Sequence, residues 1–92
     1  MGPEVHDEPN SSRWVAHVEG VRAGVADYTL ADGVLTLTHT VVESAYEGRG
    51  VGSALVRTAL DSARDRGLSV VPSCPFVAGW IQKHPDYADL VA

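Results

Sequence analysis

A glycine-rich turn separates a β-branched run at Val34–Val42 from an amphipathic stretch at residues 51–66. In this glycine turn (residues 48–53), glycines occupy alternate positions: Gly48, Gly50 and Gly52. Glycine lets the backbone approach a ligand closely, and the free N–H groups at the start of a helix attract anions. The pattern therefore predicts a pyrophosphate-binding site or, on the alternative interpretation, a flexible turn. It lacks the Gly-Lys-Ser/Thr of a P-loop and the spacing of a dinucleotide-binding fingerprint.

Composition limits the chain to one small globular domain. Of its 92 residues, 45% are apolar and 21% are charged, which is ordinary for a soluble protein. No apolar run approaches the roughly 20 residues that span a bilayer, and the single cysteine cannot form an internal disulfide. The net charge of −5 argues against nucleic-acid binding. We therefore expect a cytoplasmic protein with no nucleic-acid partner and no membrane association.

Charge is distributed unevenly along the sequence. Residues 1–12 contain acidic residues but no Lys or Arg, and they are rich in Gly, Pro, Asn and Ser. We predict a disordered acidic tail there and a folded domain over residues 13–92. Between residues 48 and 66, arginines outnumber acidic residues: Arg49, Arg57, Arg64 and Arg66 against Asp61 and Asp65. This basic segment indicates either a bound anion or a solvated helix face.

Apolar residues alternate in three runs before the glycine turn, at residues 13–21, 25–30 and Val34–Val42. Alternation predicts strands. Residues 21–24 are expected to form the first connection and Asp32 with Gly33 the second, because Asp-Gly supplies the positive φ of a hairpin turn. The three strands should therefore form an antiparallel meander.

The periodicity becomes helical after the glycine turn and predicts a helix over residues 51–66, with Gly67 beyond its end. Residues 68–72 form a short strand, parallel to the third one because a helix connects them. A second helix begins at Pro75, Pro85 stops it, and residues 87–91 could add one final helical turn. Trp14 and Trp80 are expected in the core, with a ligand platform as the alternative. The fold class is α/β (α+β) with a mixed sheet.

Three segments of the sequence resemble one family. The glycine turn is similar to motif A of the Gcn5-related N-acetyltransferases, Gln/Arg-x-x-Gly-x-Gly/Ala, with Gly50 and Gly52 as its glycines. His39-Thr40-Val41-Val42 and the segments 71–77 and 83–90 resemble the small single-domain group of the YjdJ type. The resemblance covers about residues 13–91. It implies a minimal fold of this family and an acetyl-CoA-binding domain.

Family membership would imply a set of cofactor contacts. Backbone amides would hold the pyrophosphate of acetyl-CoA, on this sequence those of Arg49, Gly50, Val51, Gly52 and Ser53. The pantetheine arm would run between the parting strand ends, near Thr40, Val41, Val42, Ser73 and Cys74. His84 and Tyr87 would lie along the CoA arm, or serve in packing and capping. No metal site is predicted, because the histidines and Cys74 lack ligand spacing.

Two positions depart from the family pattern. Glu47 stands where motif A usually has Arg or Gln, and a carboxylate beside a pyrophosphate is repulsive. Val41 stands where the small group often has Glu. If that Glu is a general base in relatives, this chain lacks it.

Acetyl transfer to an amine needs a base for the amine proton and a group near the thioester. Cys74 precedes a predicted helix, whose dipole favours thiolate, so it could accept the acetyl group or contact the CoA sulfur. A buried, inert thiol is the alternative. His39 could act as the base or serve structurally, and Glu43 could replace the missing carboxylate or be a solvated loop residue.

The short connection between the first two strands leaves little to enclose an acceptor. An open site suits an amine on a protein or peptide. The function predicted is an acetyl-CoA-dependent N-acetyltransferase. A non-catalytic CoA-binding module and a protein-interaction domain are the alternatives.

Overall fold

The computed structural model describes residues 2–92, and Met1 lies outside the described part. Five strands form one sheet in the order β1-β2-β3-β4-β5. Their bounds are Glu4–Glu8 (β1), Arg13–Val18 (β2), Val21–Ala31 (β3), Val34–Val42 (β4) and Ser69–Pro72 (β5). The first four strands are antiparallel neighbours, and β5 pairs with β4 in parallel. The predicted α+β class and mixed sheet are confirmed.

Two helices and three short 3₁₀ segments complete the fold. The helices are α1 (Val51–Asp65), between β4 and β5, and α2 (Pro75–Lys83), after β5. The 3₁₀ segments are Pro9–Ser11, Ser44–Tyr46 and Pro85–Leu90, the last of which includes most of the predicted final turn. Within residues 2–92, neither helix is long and apolar enough to cross a membrane.

The predicted disordered tail is wrong for β1. Glu4–Glu8 pairs antiparallel with β2, from Glu4 opposite His17 to Glu8 opposite Arg13. The composition of residues 4–8 does not reveal this strand, because pairing with β2 supplies backbone hydrogen bonds that an isolated acidic segment lacks. A side-chain hydrogen bond adds to it, since the Tyr28 hydroxyl donates to Asp7 Oδ1 at 2.7 Å. The prediction for Met1 lies outside the described residues.

The first connection also differs from the prediction. Residues 21–24 belong to β3, and the chain reverses at Glu19 and Gly20, which both have positive φ. Asp32 and Gly33 have the positive φ values expected of the second turn, so that turn is confirmed. The two turns have the same shape, but only the Asp-Gly sequence is a strong turn signal.

One hydrophobic core joins the helices to one face of the sheet. α1 contributes its predicted apolar stripe, and α2 packs beside it through Val77, Trp80 and Ile81. Trp14 and Trp80 are both buried, which confirms their predicted place in the core. In the described part of the chain, no helix covers the opposite face of the sheet. The molecule is therefore two layers thick.

Candidate functional site

The glycine turn adopts a conformation that other residues rarely reach. Gly50 is the N-cap residue of α1 with φ 78°, and Gly48 has φ 77°. For an L-residue with a side chain, this left-handed conformation costs about 1–2 kcal/mol of conformational free energy. The space around both glycines is open, so the requirement for glycine comes from the backbone. The sequence prediction of a glycine turn leading into a helix is confirmed.

The start of α1 presents unsatisfied donors. The first helical hydrogen bond runs from the Ala54 N–H to the Gly50 carbonyl at 3.0 Å. Across the described chain, the N–H groups of Val51, Gly52 and Ser53 therefore have no helical acceptor. Together with the positive end of the helix dipole, they form a site that attracts anions.

A cavity of about 400 Å³ lies at this helix start. Its walls come from the glycine turn, β4, the first turn of α2 and the 3₁₀ segment before the glycine turn. The lining residues are Val42, Tyr46, Glu47, Gly48, Gly50, Val51, Gly52, Ser53 and Phe76. Most of this lining is apolar or backbone. Glu47 is the charged residue among those that line it, and its carboxylate opposes an anionic ligand.

Gly52 allows Phe76 to close one side of the cavity. A Cβ atom on Gly52 would lie 2.8 Å from Phe76 Cζ, which is closer than real Cβ contacts. Phe76 is nonetheless 47% exposed, so its ring separates the start of α1 from solvent only in part. A side chain at position 52 would therefore have to displace the Phe76 ring, whereas the φ of Gly52 makes no demand for glycine.

The ends of β4 and β5 separate next to Cys74. The last pair in their register is Leu37 with Pro72, and the Cys74 N–H donates to the Leu37 carbonyl at 3.0 Å. β4 continues to Val42, and within residues 2–92 no strand pairs with residues 38–42 on this side. We call this opening the strand cleft, defined by residues 38–42 of β4 and by Ser73 and Cys74.

A register shift in β4 determines which side chains face the helices. Asp27 lies opposite His39 and Tyr28 opposite Leu37, so Thr38 is an extra residue. Beyond it, Thr40 contacts Cys74 and Val42 lines the cavity, both on the helix side. Because side chains alternate along a strand, His39 and Val41 point to the opposite face, where both are exposed.

The Cys74 thiol is buried at the N-cap of α2, and its Sγ lies 3.7 Å from Thr40 Oγ1. Burial acts to raise the pKa of this thiol. Hydrogen bonds from the Val77 N–H and the Thr40 hydroxyl, with further N–H groups of Phe76 and Thr40, act in the other direction. The pKa of Cys74 is lowered as a result. The thiolate is therefore stabilised beside the strand cleft.

Three of the predicted site residues, Glu43, His84 and Tyr87, lie apart from Cys74. Glu43 is exposed beyond the end of β4, and its N–H donates to the Ala23 carbonyl at 2.8 Å. Ser73 is exposed beside the strand cleft. His84 and Tyr87 lie past the far end of α2, so the structure does not bring them to the thiol. His39 and Glu43 approach the strand cleft only from the face that the helices leave uncovered.

Hydrogen bonds hold Tyr87 and His84 in place. The Tyr87 hydroxyl donates to Asp61 Oδ1 at 2.7 Å, which raises the pKa of this phenol. His84 Nδ1 lies 2.8 Å from the Trp80 carbonyl. Since a carbonyl only accepts, this nitrogen carries the proton, and the ring stacks on Trp80 at 3.8 Å between centroids.

Sequence reasoning missed several side chains around the cavity. Tyr46 and Phe76 line it, and Trp80 Nε1 donates to Ser53 Oγ at 2.8 Å. Tyr46 immediately precedes Glu47 and the glycine turn, and Phe76 lies in the first turn of a predicted helix, so both positions were visible in the sequence. The Ser53–Trp80 pair was not, because 27 residues separate its members.

Comparison with known proteins places this geometry in a family. The family model for GCN5-related N-acetyltransferases matches residues 13–90. Human N-acetyltransferase 8B is 41% identical over a match that covers 70% of this chain and 31% of that protein. The chain thus spans about a third of the length of this relative.

Solved structures share the fold. A GCN5-like protein from Staphylococcus aureus superposes with a TM-score of 0.74 at 23% identity, covering 97% of this chain and 87% of that one. An AAC(6')-Iy structure, in complex with a bisubstrate analogue of CoA, has a TM-score of 0.55 at 20% identity and covers 82% of this chain and 58% of its own. Since the family model covers β2 to β5 and both helices, the chain belongs to the GCN5-related N-acetyltransferase family.

Proposed function

We propose that this domain is an acetyl-CoA-dependent N-acetyltransferase of the small YjdJ type. The observation that carries the proposal is the cavity at the start of α1, where backbone donors meet an apolar wall. CoA has the matching chemistry, since it combines a pyrophosphate with an uncharged pantetheine arm. When bound, acetyl-CoA supplies the acetyl thioester that an amine attacks.

The residues present fit this ligand. The uncapped N–H groups of Val51, Gly52 and Ser53 would hold the pyrophosphate, and Arg49 and Gly50 would complete the turn around it. Val42 and Phe76 would contact the first part of the pantetheine arm. Glu47 alone opposes an anion, and the backbone donors outnumber it. Because backbone groups would bind the pyrophosphate, Glu47 can be tolerated at the first position of motif A.

The strand cleft would receive the thioester end of the ligand. Among residues 2–92, no strand pairs with residues 40–42 of β4 on the cleft side, so their backbone groups are available to an amide-containing arm. Ser73 and Cys74 form the opposite side. The Cys74 thiol, whose pKa is lowered, would either accept the acetyl group or contact the CoA sulfur. Both roles require the Cys74 thiol beside the separated ends of β4 and β5, and its contact with Thr40 supports this.

The amine would approach from the other face of the sheet. A gap between two strands opens to both faces, and the helices occupy only one of them. His39 and Glu43 are reached from the uncovered face, so either could take the amine proton. Val41, exposed on the same face, leaves no carboxylate at its own position. Since no described helix encloses this side, an amine on a protein or peptide is the acceptor we favour.

A non-catalytic CoA-binding module is the second candidate. Glu47 in the cavity wall and the absence of a carboxylate at Val41 favour it. Such a module would bind CoA and acetyl-CoA equally and transfer nothing. A protein-interaction domain, the third alternative, would bind neither.

The first test is thermal unfolding with acetyl-CoA, CoA or ATP at equal concentrations. A ligand at about 100 times its dissociation constant should stabilise the fold by about 2.7 kcal/mol. We expect acetyl-CoA and CoA to raise the melting temperature more than ATP, which lacks the pantetheine arm. Gly52→Ala should reduce the shift, because a Cβ would enter the cavity, while Gly79→Ala on α2 should leave it unchanged.

Release of free CoA in the presence of an amine-bearing peptide then separates the enzyme from the module. Intact mass after incubation with acetyl-CoA alone tests the role of Cys74. Addition of one acetyl group, lost in Cys74→Ala, supports a covalent route. Turnover without the added mass supports direct transfer. Absence of any thermal shift would overturn the proposed function.

A further inference from the structure

Arg57, on the face of α1 toward α2, is held by aromatic groups. Its Cζ lies 5.1 Å from the centroid of the Trp80 ring and 5.8 Å from that of Tyr87. Its Nη1 donates to the Tyr87 hydroxyl at 3.3 Å. Stacking on rings and one hydrogen bond restrict the long side chain. Less conformational freedom is then lost when a ligand binds.

Within residues 2–92, the Arg57 guanidinium forms no ion pair. Arg13 and Arg64 pair with Asp27 and Asp89, at 3.2 and 2.9 Å. In the described part of the chain, no carboxylate oxygen lies within 4.0 Å of Arg57. The nearby Asp61 carboxylate accepts from the Tyr87 phenol instead. Most of the N–H donors of Arg57 thus remain available to an anion.

Arg57 is connected to the cavity through Ser53. The two residues are four apart on α1, so they lie on one face with about 5–6 Å between their Cβ atoms. Ser53 lines the cavity, and its Oγ accepts from Trp80 Nε1 at 2.8 Å, on the same ring over which Arg57 lies. Arg57 therefore leaves α1 one helical turn after the cavity-lining Ser53, and it is not itself part of the cavity lining.

CoA carries a second phosphate group close to its pyrophosphate. Its 3′-phosphate is a monoester dianion on the ribose, one sugar ring away from the pyrophosphate. In a chain with a net charge of −5, a local cation offsets the repulsion that such a dianion meets. A guanidinium matches it best, because two parallel N–H donors can bind two phosphate oxygens.

We propose that Arg57 binds the 3′-phosphate of CoA and makes the site selective for CoA over 3′-dephospho-CoA. The inference rests on the proposed function and adds a specificity-determining residue to it. Trp80 and Tyr87 act as positioning residues that hold the guanidinium beside the cavity. Arg49, which lies 5.3 Å over the Tyr46 ring, is the rival cation for the same phosphate.

The test is a thermodynamic cycle measured by calorimetry with CoA and 3′-dephospho-CoA. The wild type should bind CoA about tenfold more tightly, the effect of one charge-assisted contact. Arg57→Met should lose this tenfold advantage and bind 3′-dephospho-CoA as the wild type does. Arg66→Met removes an exposed arginine at the end of the same helix, and it should retain the full selectivity.

Three outcomes would overturn the inference. Equal affinity of the wild type for both ligands would show that the 3′-phosphate is not recognised, although CoA still binds. Selectivity retained in Arg57→Met but lost in Arg49→Met would assign the contact to the other arginine. Binding of neither ligand by the folded wild type would overturn the proposed function and this inference with it. Circular dichroism of each variant establishes that it is folded.

Discussion

The pKa of Cys74 depends on the residues around it. Its burial alone would raise the pKa of the thiol, yet hydrogen bonds at the start of α2 and from Thr40 lower it. A lowered pKa means that thiolate forms at a lower pH than in an unfolded chain. We therefore expect Thr40→Val to move the titration of Cys74 to higher pH, because the hydroxyl donor is removed.

Ultraviolet absorbance of the thiolate measures this titration without a reagent that must enter the core. The spectrum of Cys74→Ser at each pH is subtracted to remove the tyrosines. Thr36→Val, on the same strand but away from the thiol, serves as the matched control and should leave the midpoint unchanged. An unchanged midpoint in Thr40→Val would show that the hydroxyl does not stabilise the thiolate.

At the scale of elements, the start of α1 depends on backbone conformation. Gly50→Ala should lower the free energy of unfolding by about 1 kcal/mol, because alanine is strained at φ 78°. Gly79→Ala, in the interior of α2 with open space around it, should instead raise it by about 0.5–1 kcal/mol. Urea unfolding of both variants measures the difference. Equal effects of the two substitutions would contradict the left-handed N-cap.

At the scale of the whole molecule, β1 completes the sheet by pairing with β2, and a hydrogen bond from Tyr28 of β3 to Asp7 adds to this pairing. Burial and the hydrogen bond to Asp7 raise the pKa of Tyr28 to about 12. Tyr28→Phe should lower the free energy of unfolding by about 1.5 kcal/mol at neutral pH, the value of a hydrogen bond to a charged group. Faster amide exchange confined to β1 should accompany this loss.

The pH dependence of this contact has a definite sign. The pKa of Tyr28 is higher in the folded protein than in the unfolded chain, where it is about 10. The stabilisation is therefore complete below pH 10 and is lost as the pH rises toward 12. The difference between wild type and Tyr28→Phe should shrink over that range. Asp7→Asn should have a similar effect, and a double variant whose losses simply add would contradict the pairing.

Local signals determined much of this protein from sequence alone. The Asp32–Gly33 turn, the apolar stripe of α1 and the glycine turn depend on neighbouring residues, so periodicity and glycine spacing predict them. The resemblance of the same turn to a family motif also indicated the family. Each feature follows from residues close together in the chain.

The tertiary structure decided what depends on distant residues. Pairing with β2 makes β1 a strand despite its composition, and the extra residue Thr38 turns His39 away from Cys74. Ser53 meets Trp80, and Arg57 meets Tyr87, only when α2 and the segment after it pack on α1. Periodicity carries no information about a register shift or a contact between elements. The register shift and the contacts between elements follow only from the tertiary structure.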